Sequence, residues 1–156
     1  MRDKDIDGVA IVTPSDSHYH LAKSTLESGK DVFIEKPLVH KTEQAEELIG
    51  LANRKKLVIG TGHLMIYNSA LGKLKELIAQ DIIGKPLFLE TRQYKVGRVK
   101  EHEDIIWDAM PHEVSIALFL FDQFPTEAHI ETIGLFPPHP ADIGALTLKF
   151  PSGAIS

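Results

Sequence analysis

The sequence contains no cysteine. Disulfides, thiolate nucleophiles and thiolate metal sites are therefore excluded, and the composition fits a reducing cytoplasm. No apolar run reaches the length that a bilayer span needs. The charged start, Met1-Arg2-Asp3-Lys4-Asp5, lacks the apolar stretch of a secretory signal. These absences predict a cytoplasmic protein with no membrane partner. Positive charge is not in excess either. Seventeen Lys and Arg stand against 22 Asp and Glu, a net charge of -5, so no nucleic-acid backbone is an expected partner. No Gly-x-Gly-x-x-Gly occurs; Gly60-Thr61-Gly62 lacks the third glycine and a following helix start. Nothing supplies phosphate-binding amides at a helix N-terminus in the expected place.

What is present is an ordinary globular composition, 43% hydrophobic and 25% charged over 156 residues. The first half alternates strand and helix. Val9 to Thr13 is a short apolar run stopped by Pro14, and it reads as a buried strand. Pro14 to Ser17 is turn chemistry, with Asp16 or Ser17 as helix cap. Leu21, Ala22, Thr25 and Leu26 give the helix an apolar stripe, and Gly29 is its left-handed stop. Val32 to Ile34 is a second strand. Thr42 caps a helix through about Asn53, and Leu57 to Ile59 is a third strand. Such alternation predicts a parallel sheet covered on both faces.

The second half has another character. Asn68 caps a helix to about Gln80, Ile83 to Pro86 form a turn, and Leu87 to Tyr94 read as a strand. Val114 to Phe121 is apolar nearly all round, a buried helix. Ile130 to Phe136 and Ile143 to Phe150 read as strands joined by the stiff loop Pro137-Pro138-His139-Pro140. In the last strand Leu146, Leu148 and Phe150 alternate with Thr147 and Lys149, as in a sheet with one wet face. The expected fold class is α/β: a partial Rossmann-like parallel sheet over residues 1–62, then part of an α+β domain with a largely antiparallel sheet over 63–156. Three strands are half of a doubly wound sheet, and two complete domains need on the order of 200–300 residues. Both ends of the chain therefore read as cut.

Chemistry concentrates in two places. Ligands of open parallel sheets sit at the carboxyl ends of the strands, which places Thr13, Pro14, Glu35, Lys36 and Pro37 along one crevice. A lysine there either stands in water on a charged loop or orients a substrate oxygen and stabilises negative charge on it. Asp108 and His112 are four apart at the start of the buried helix. That spacing shares a face, so the carboxylate either orients the imidazole or simply caps the helix. The eight histidines show no ligand-like spacing and no His-Glu-x-x-His, so no metal site is expected. Arg92, Lys95, Arg98 and Lys100 form a small basic cluster near Trp107, either a solvated face or a seat for a pyrophosphate.

The segment from Asp7 to Leu38, DGVAIVTPSDSHYHLAKSTLESGKDVFIEKPL, closely resembles the Gfo/Idh/MocA oxidoreductases. The marks are a strand ending in Thr13-Pro14, His18 four residues after the proline, a helix closed by Gly29-Lys30, and Glu35-Lys36-Pro37. The likeness continues through GHLMIYN, IIGKP and WDAMPHEVSIALFLF. It implies an NAD- or NADP-dependent oxidoreductase that moves a hydride between the nicotinamide and a sugar or nucleotide-sugar carbon. By the same resemblance Thr13, Pro14 and His18 lie along the nicotinamide ribose, and Glu35, Lys36 and Pro37 border the nicotinamide. Lys36 is then the catalytic lysine, with a cis bond to Pro37. Asp108 and His112 match the family's Asp-x-x-x-His, with His112 as general acid/base. Arg98 and Trp107 are substrate-side candidates, and the second-domain sheet is the expected surface of a homo-oligomer. The family's phosphate loop precedes the residues matched here, so cofactor affinity is expected to be weak. The competing expectations are an inactive remnant acting as an association module and one half of a split enzyme.

Overall fold

The computed structural model describes residues 3–94, 104–135 and 141–156. The chain divides into two units, residues 1–63 and 64–156, each with a hydrophobic core of its own.

In the first unit, β1 (Gly8–Ile11), α1 (His18–Glu27), β2 (Asp31–Ile34), α2 (Thr42–Lys55) and β3 (Ile59–Thr61) follow in order. The strands pair in parallel, β1-β2-β3, with Val9 beside Val32 and Val32 beside Ile59. The expected alternation of strand and helix is present. Gly29 stops α1 at φ +77°, and its N–H returns to Leu26 O at 3.0 Å. Three local expectations shift. Neither Asp16 nor Ser17 caps α1 through its side chain; the Ser17 hydroxyl donates instead to Pro14 O at 2.7 Å, closing a single 3-10 turn over Ser15–Ser17. Thr42 is the first helical residue of α2, and Lys41 is the cap. The third strand runs two residues later than expected, because α2 continues to Lys55 and ends on Lys56 in the left-handed conformation.

Among the described residues of this unit, one face of the sheet carries the packed core. Ile11, Val32 and Ile34 pack with Ala22 and Leu26 of α1 and Leu48 and Ala52 of α2 in one core. On the opposite face Ala10 is exposed and Phe33 is 43% exposed. The described residues thus supply the cover of one face. The strands advance in one direction, and crossovers of one hand then bring both helices to the same side. Lys30, only 6% exposed, is satisfied by backbone: its Nζ donates to Asp3 O at 2.6 Å and to Ile6 O.

The second unit holds α3 (Ser69–Ala79), α4 (Ile105–Asp108), α5 (Met110–Phe121), β4 (Glu127–Ile133) and β5 (Ile143–Lys149). Asn68 caps α3 as expected, its Oδ1 accepting from Ala70 N at 2.9 Å. β4 and β5 are antiparallel with Ile130 opposite Leu146, so β4 begins three residues before the expected point. Leu148 and Phe150 pack on Ala117 and Phe121 of α5. The 87–94 stretch is not a continuous strand. It meets Ile155 in an isolated bridge at Phe88, with Leu89 N–H to Ile155 O at 3.0 Å. The Pro137–Pro140 loop lies outside the described residues. Among the described residues no helix is long and apolar enough to cross a membrane. The whole is a mixed α/β fold with one parallel and one antiparallel sheet.

Candidate active site

The site of the first unit is made by where its strands stop. The ladder between β1 and β2 ends with Glu35 N–H to Ile11 O at 3.0 Å, and that between β2 and β3 with Gly62 N–H to Ile34 O at 2.8 Å. Beyond these bonds the chain turns away at Thr13-Pro14, at Glu35-Lys36-Pro37 and at Gly62-His63. The three turns form one carboxyl edge, where open parallel sheets take their ligands. Thr13 and Pro14 are exposed, Glu35 and Lys36 are half-buried, and Pro37 is buried. The Lys36–Pro37 bond is cis.

Short polar contacts hold this edge. Because the Ser17 hydroxyl donates to Pro14 O, Thr13 Oγ1 donates in turn to Ser17 Oγ at 2.7 Å. Lys36 N–H reaches Glu35 Oε2 at 3.2 Å. His40 Nε2 stands 2.9 Å from Ser15 Oγ, joining the loop after β2 to the turn before α1. Gly62 is buried, and a Cβ there would meet the Glu35 carboxylate oxygens at 3.1 and 3.2 Å. The missing side chain lets that carboxylate lie against the end of β3.

His18 is not on the edge but behind it. The residue is 1% exposed, with Nδ1 2.8 Å from Pro37 O and Nε2 2.9 Å from Thr13 O. His63 is not singled out by the sequence, where it is one of eight histidines without useful spacing. Its place just after a parallel strand and two glycines is the signal available. Its Nδ1 is buried with no hydrogen-bond partner among the described residues, and burial pulls the ring's pKa below its ordinary value.

In the second unit Asp108 and His112 are not on one helix. Asp108 ends α4, Ala109 breaks the helix at φ -107°, and His112 falls in the first turn of α5. The expectation of a shared helical face is corrected by that break. The cap of this region is Asp104, whose Oδ1 accepts from Ile106 N at 3.1 Å and Trp107 N at 3.3 Å. Asp108 and His112 are half-buried, and Trp107 is 37% exposed. Arg98 lies outside the described residues. Arg92 is spent locally, with Nε and Nη2 both donating to Glu90 Oε1 at 2.9 and 2.7 Å. A cleft of about 400 Å³ opens near Met110, Glu113 and Leu146. Neither Asp108 nor His112 lines it, so its volume says nothing about their chemistry. Among the described residues no group of three or more His, Cys, Asp or Glu could hold a metal ion.

Residues 1–63 match the family model for the GFO_IDH_MocA oxidoreductases, described as an NAD-binding Rossmann fold. The chain is 32% identical over 124 residues to a UDP-N-acetylglucosamine 3-dehydrogenase of Acidithiobacillus ferrooxidans, covering 79% of this chain and 38% of that protein. It is 27% identical over 126 residues to an inositol 2-dehydrogenase of Salmonella typhimurium, again 79% of this chain and 38% of the relative. A solved structure of the Acidithiobacillus enzyme superposes with a TM-score of 0.85 at 28% identity, covering 97% of this chain and 49% of that one. A putative oxidoreductase of Yersinia pestis gives 0.84 at 30% identity, covering 98% and 45%. The chain spans less than half the length of each of these relatives. With the Thr13-Pro14 and Glu35-Lys36-Pro37 turns on one sheet edge and this match over its first unit, the chain belongs to the Gfo/Idh/MocA oxidoreductase family.

Proposed function

We propose that this chain serves an NAD- or NADP-dependent oxidoreductase that interconverts a hydroxyl and a carbonyl on a sugar or nucleotide sugar. The observation that carries the reading is Lys36, set at the carboxyl end of the central strand between the Thr13-Pro14 and Gly62-His63 turns. This edge fits the nicotinamide end of a dinucleotide. Thr13 and Pro14 offer an exposed rim, and Gly62 keeps the space at the end of β3 free of a side chain. His63 Nδ1 is a buried polar atom in want of a partner. When bound, the nicotinamide supplies the two-electron chemistry.

The chain's own residues handle position and proton. Lys36 directs its ammonium at the oxygen that gains negative charge and stabilises it. His112 takes the hydroxyl proton in oxidation and returns it in reduction. Asp108 steadies the His112 ring, and Trp107 faces the substrate. Likeness to a UDP-N-acetylglucosamine 3-dehydrogenase supports a nucleotide sugar over a free one. The protein assembles as a homo-oligomer through its second-unit sheet. β4, exposed along its whole length, supports that surface.

The test is turnover. The protein expressed from its own gene is mixed with NAD or NADP and either UDP-N-acetylglucosamine or inositol, and reduced nicotinamide is followed. Reduction with the nucleotide sugar, lowered roughly 10²- to 10⁴-fold by His112→Gln, is expected. No reduction with any sugar by a folded protein would return the reading to an inactive association module.

A further inference from the structure

His18 has a feature that cofactor contact does not explain. It is the first residue of α1 and is 1% exposed. Its ring lies between two backbone carbonyls, Pro37 O at 2.8 Å from Nδ1 and Thr13 O at 2.9 Å from Nε2. Both partners are acceptors. The tautomer decides which nitrogen donates, and in either tautomer the ring spans the space between the two carbonyls.

The two carbonyls belong to different loops. Thr13 ends the run out of β1, and Pro37 follows Lys36 at the end of β2. The strand ladder between these elements stops at Glu35 N–H to Ile11 O. The His18 ring carries the linkage onward, from behind the edge.

We propose that His18 is a positioning residue: its ring, wedged between the Thr13 and Pro37 carbonyls, clasps the two and thereby sets the gap between the loop carrying Thr13-Pro14 and the loop carrying Lys36. The clasp is a statement about this structure. Its value for the reaction rests on the reading of that gap as the nicotinamide seat.

Asparagine and glutamine divide the clasp. The amide of Asn sits near the position of Nδ1, and that of Gln near Nε2. His18→Asn keeps the link to Pro37 and loses Thr13; His18→Gln keeps Thr13 and loses Pro37. Nitrogen-15 spectra of the 156-residue chain read the result without any cofactor. In the unsubstituted chain a protected His18 ring N–H signal is expected. His18→Asn should move the amides of Thr13 and Ser15 while sparing Leu38, and His18→Gln should do the opposite. No protected ring N–H, or one diffuse pattern shared by both variants, would overturn the clasp.

A titration with NADH reads the consequence. Each variant should weaken binding roughly 2- to 10-fold, the share of one hydrogen bond. Unchanged binding in both variants would overturn the positioning role. Absence of NADH binding in the unsubstituted chain, with the ring signal present, would instead count against the nicotinamide seat and leave the clasp standing.

Discussion

The two units bury their apolar residues to different degrees. In the first, Ala22, Leu26, Ile34, Leu48 and Ala52 are sealed completely. In the second, β4 is exposed along its whole length, and Ile130, Ile133 and Ile143 are 43%, 58% and 52% exposed. The difference follows from the connections. A parallel pair needs a crossover, and the crossover helix covers the strands it joins. An antiparallel pair needs only a loop, which covers nothing. The first unit therefore holds its edge residues on a sheet packed against two helices on one face, while the second leaves β4 open along its length, the surface proposed above for association.

The largest effect should come from the edge of the first sheet. Lys36→Met should lower turnover roughly 10²- to 10⁴-fold without lowering the thermal midpoint, since Lys36 is not part of the core. A fall of less than about tenfold would separate the packed unit from the chemistry. Core truncation comes next. Leu26→Ala or Leu48→Ala should cost about 2–5 kcal/mol in urea unfolding. Ile130→Ala, on exposed β4, should cost less than about 1 kcal/mol. Equal losses would erase the contrast between the units.

Two glycines sharpen it further. Gly29 has φ +77° with open space around it, so Gly29→Ala should cost about 1 kcal/mol from backbone conformation alone. Gly72 lies inside α3 with an ordinary helical φ and open space where a Cβ would stand. Gly72→Ala should therefore give the opposite sign, a gain of about 0.4–1 kcal/mol. Both are read by denaturant midpoint. The smallest effect is on pH. Burial depresses the folded pKa of His63 below its ordinary 6.5, so below that value the unfolded chain binds more protons. The stabilisation from the neutral buried ring is complete above pH 6.5 and is lost as pH falls toward the depressed value. His63→Gln should remove that part of the slope in a pH series of unfolding curves.

Much of the first unit is legible in its residues. Val9 to Ile11 and Val32 to Ile34 announce themselves as short β-branched runs, and Gly29 as a stop, because each is decided by a few local residues. What is not legible depends on distant parts of the chain. The open face beside Phe33 depends on which side both crossovers take. The short bridge at Phe88 depends on a partner near residue 155. The helix break at Ala109 does have a local signal in Pro111, which fits the first turn of α5 but not the interior of a helix running on from Ile105; placing Asp108 in the same helix as His112 passes over it. At the site, the Glu35-Lys36-Pro37 and Thr13-Pro14 turns are legible as strand ends. The burial of His18 and the orphaned Nδ1 of His63 are not, since each depends on carbonyls or walls supplied by other loops.

The central claim is that the carboxyl edge of the first sheet seats a nicotinamide. Its most direct test is to titrate the nitrogen-15-labelled chain with NADH and map the amides that move. The account predicts shifts gathered at Thr13, Ser15, Glu35, Lys36, Gly62 and His63. Shifts gathered on the second unit, or no shifts at millimolar NADH, would contradict it.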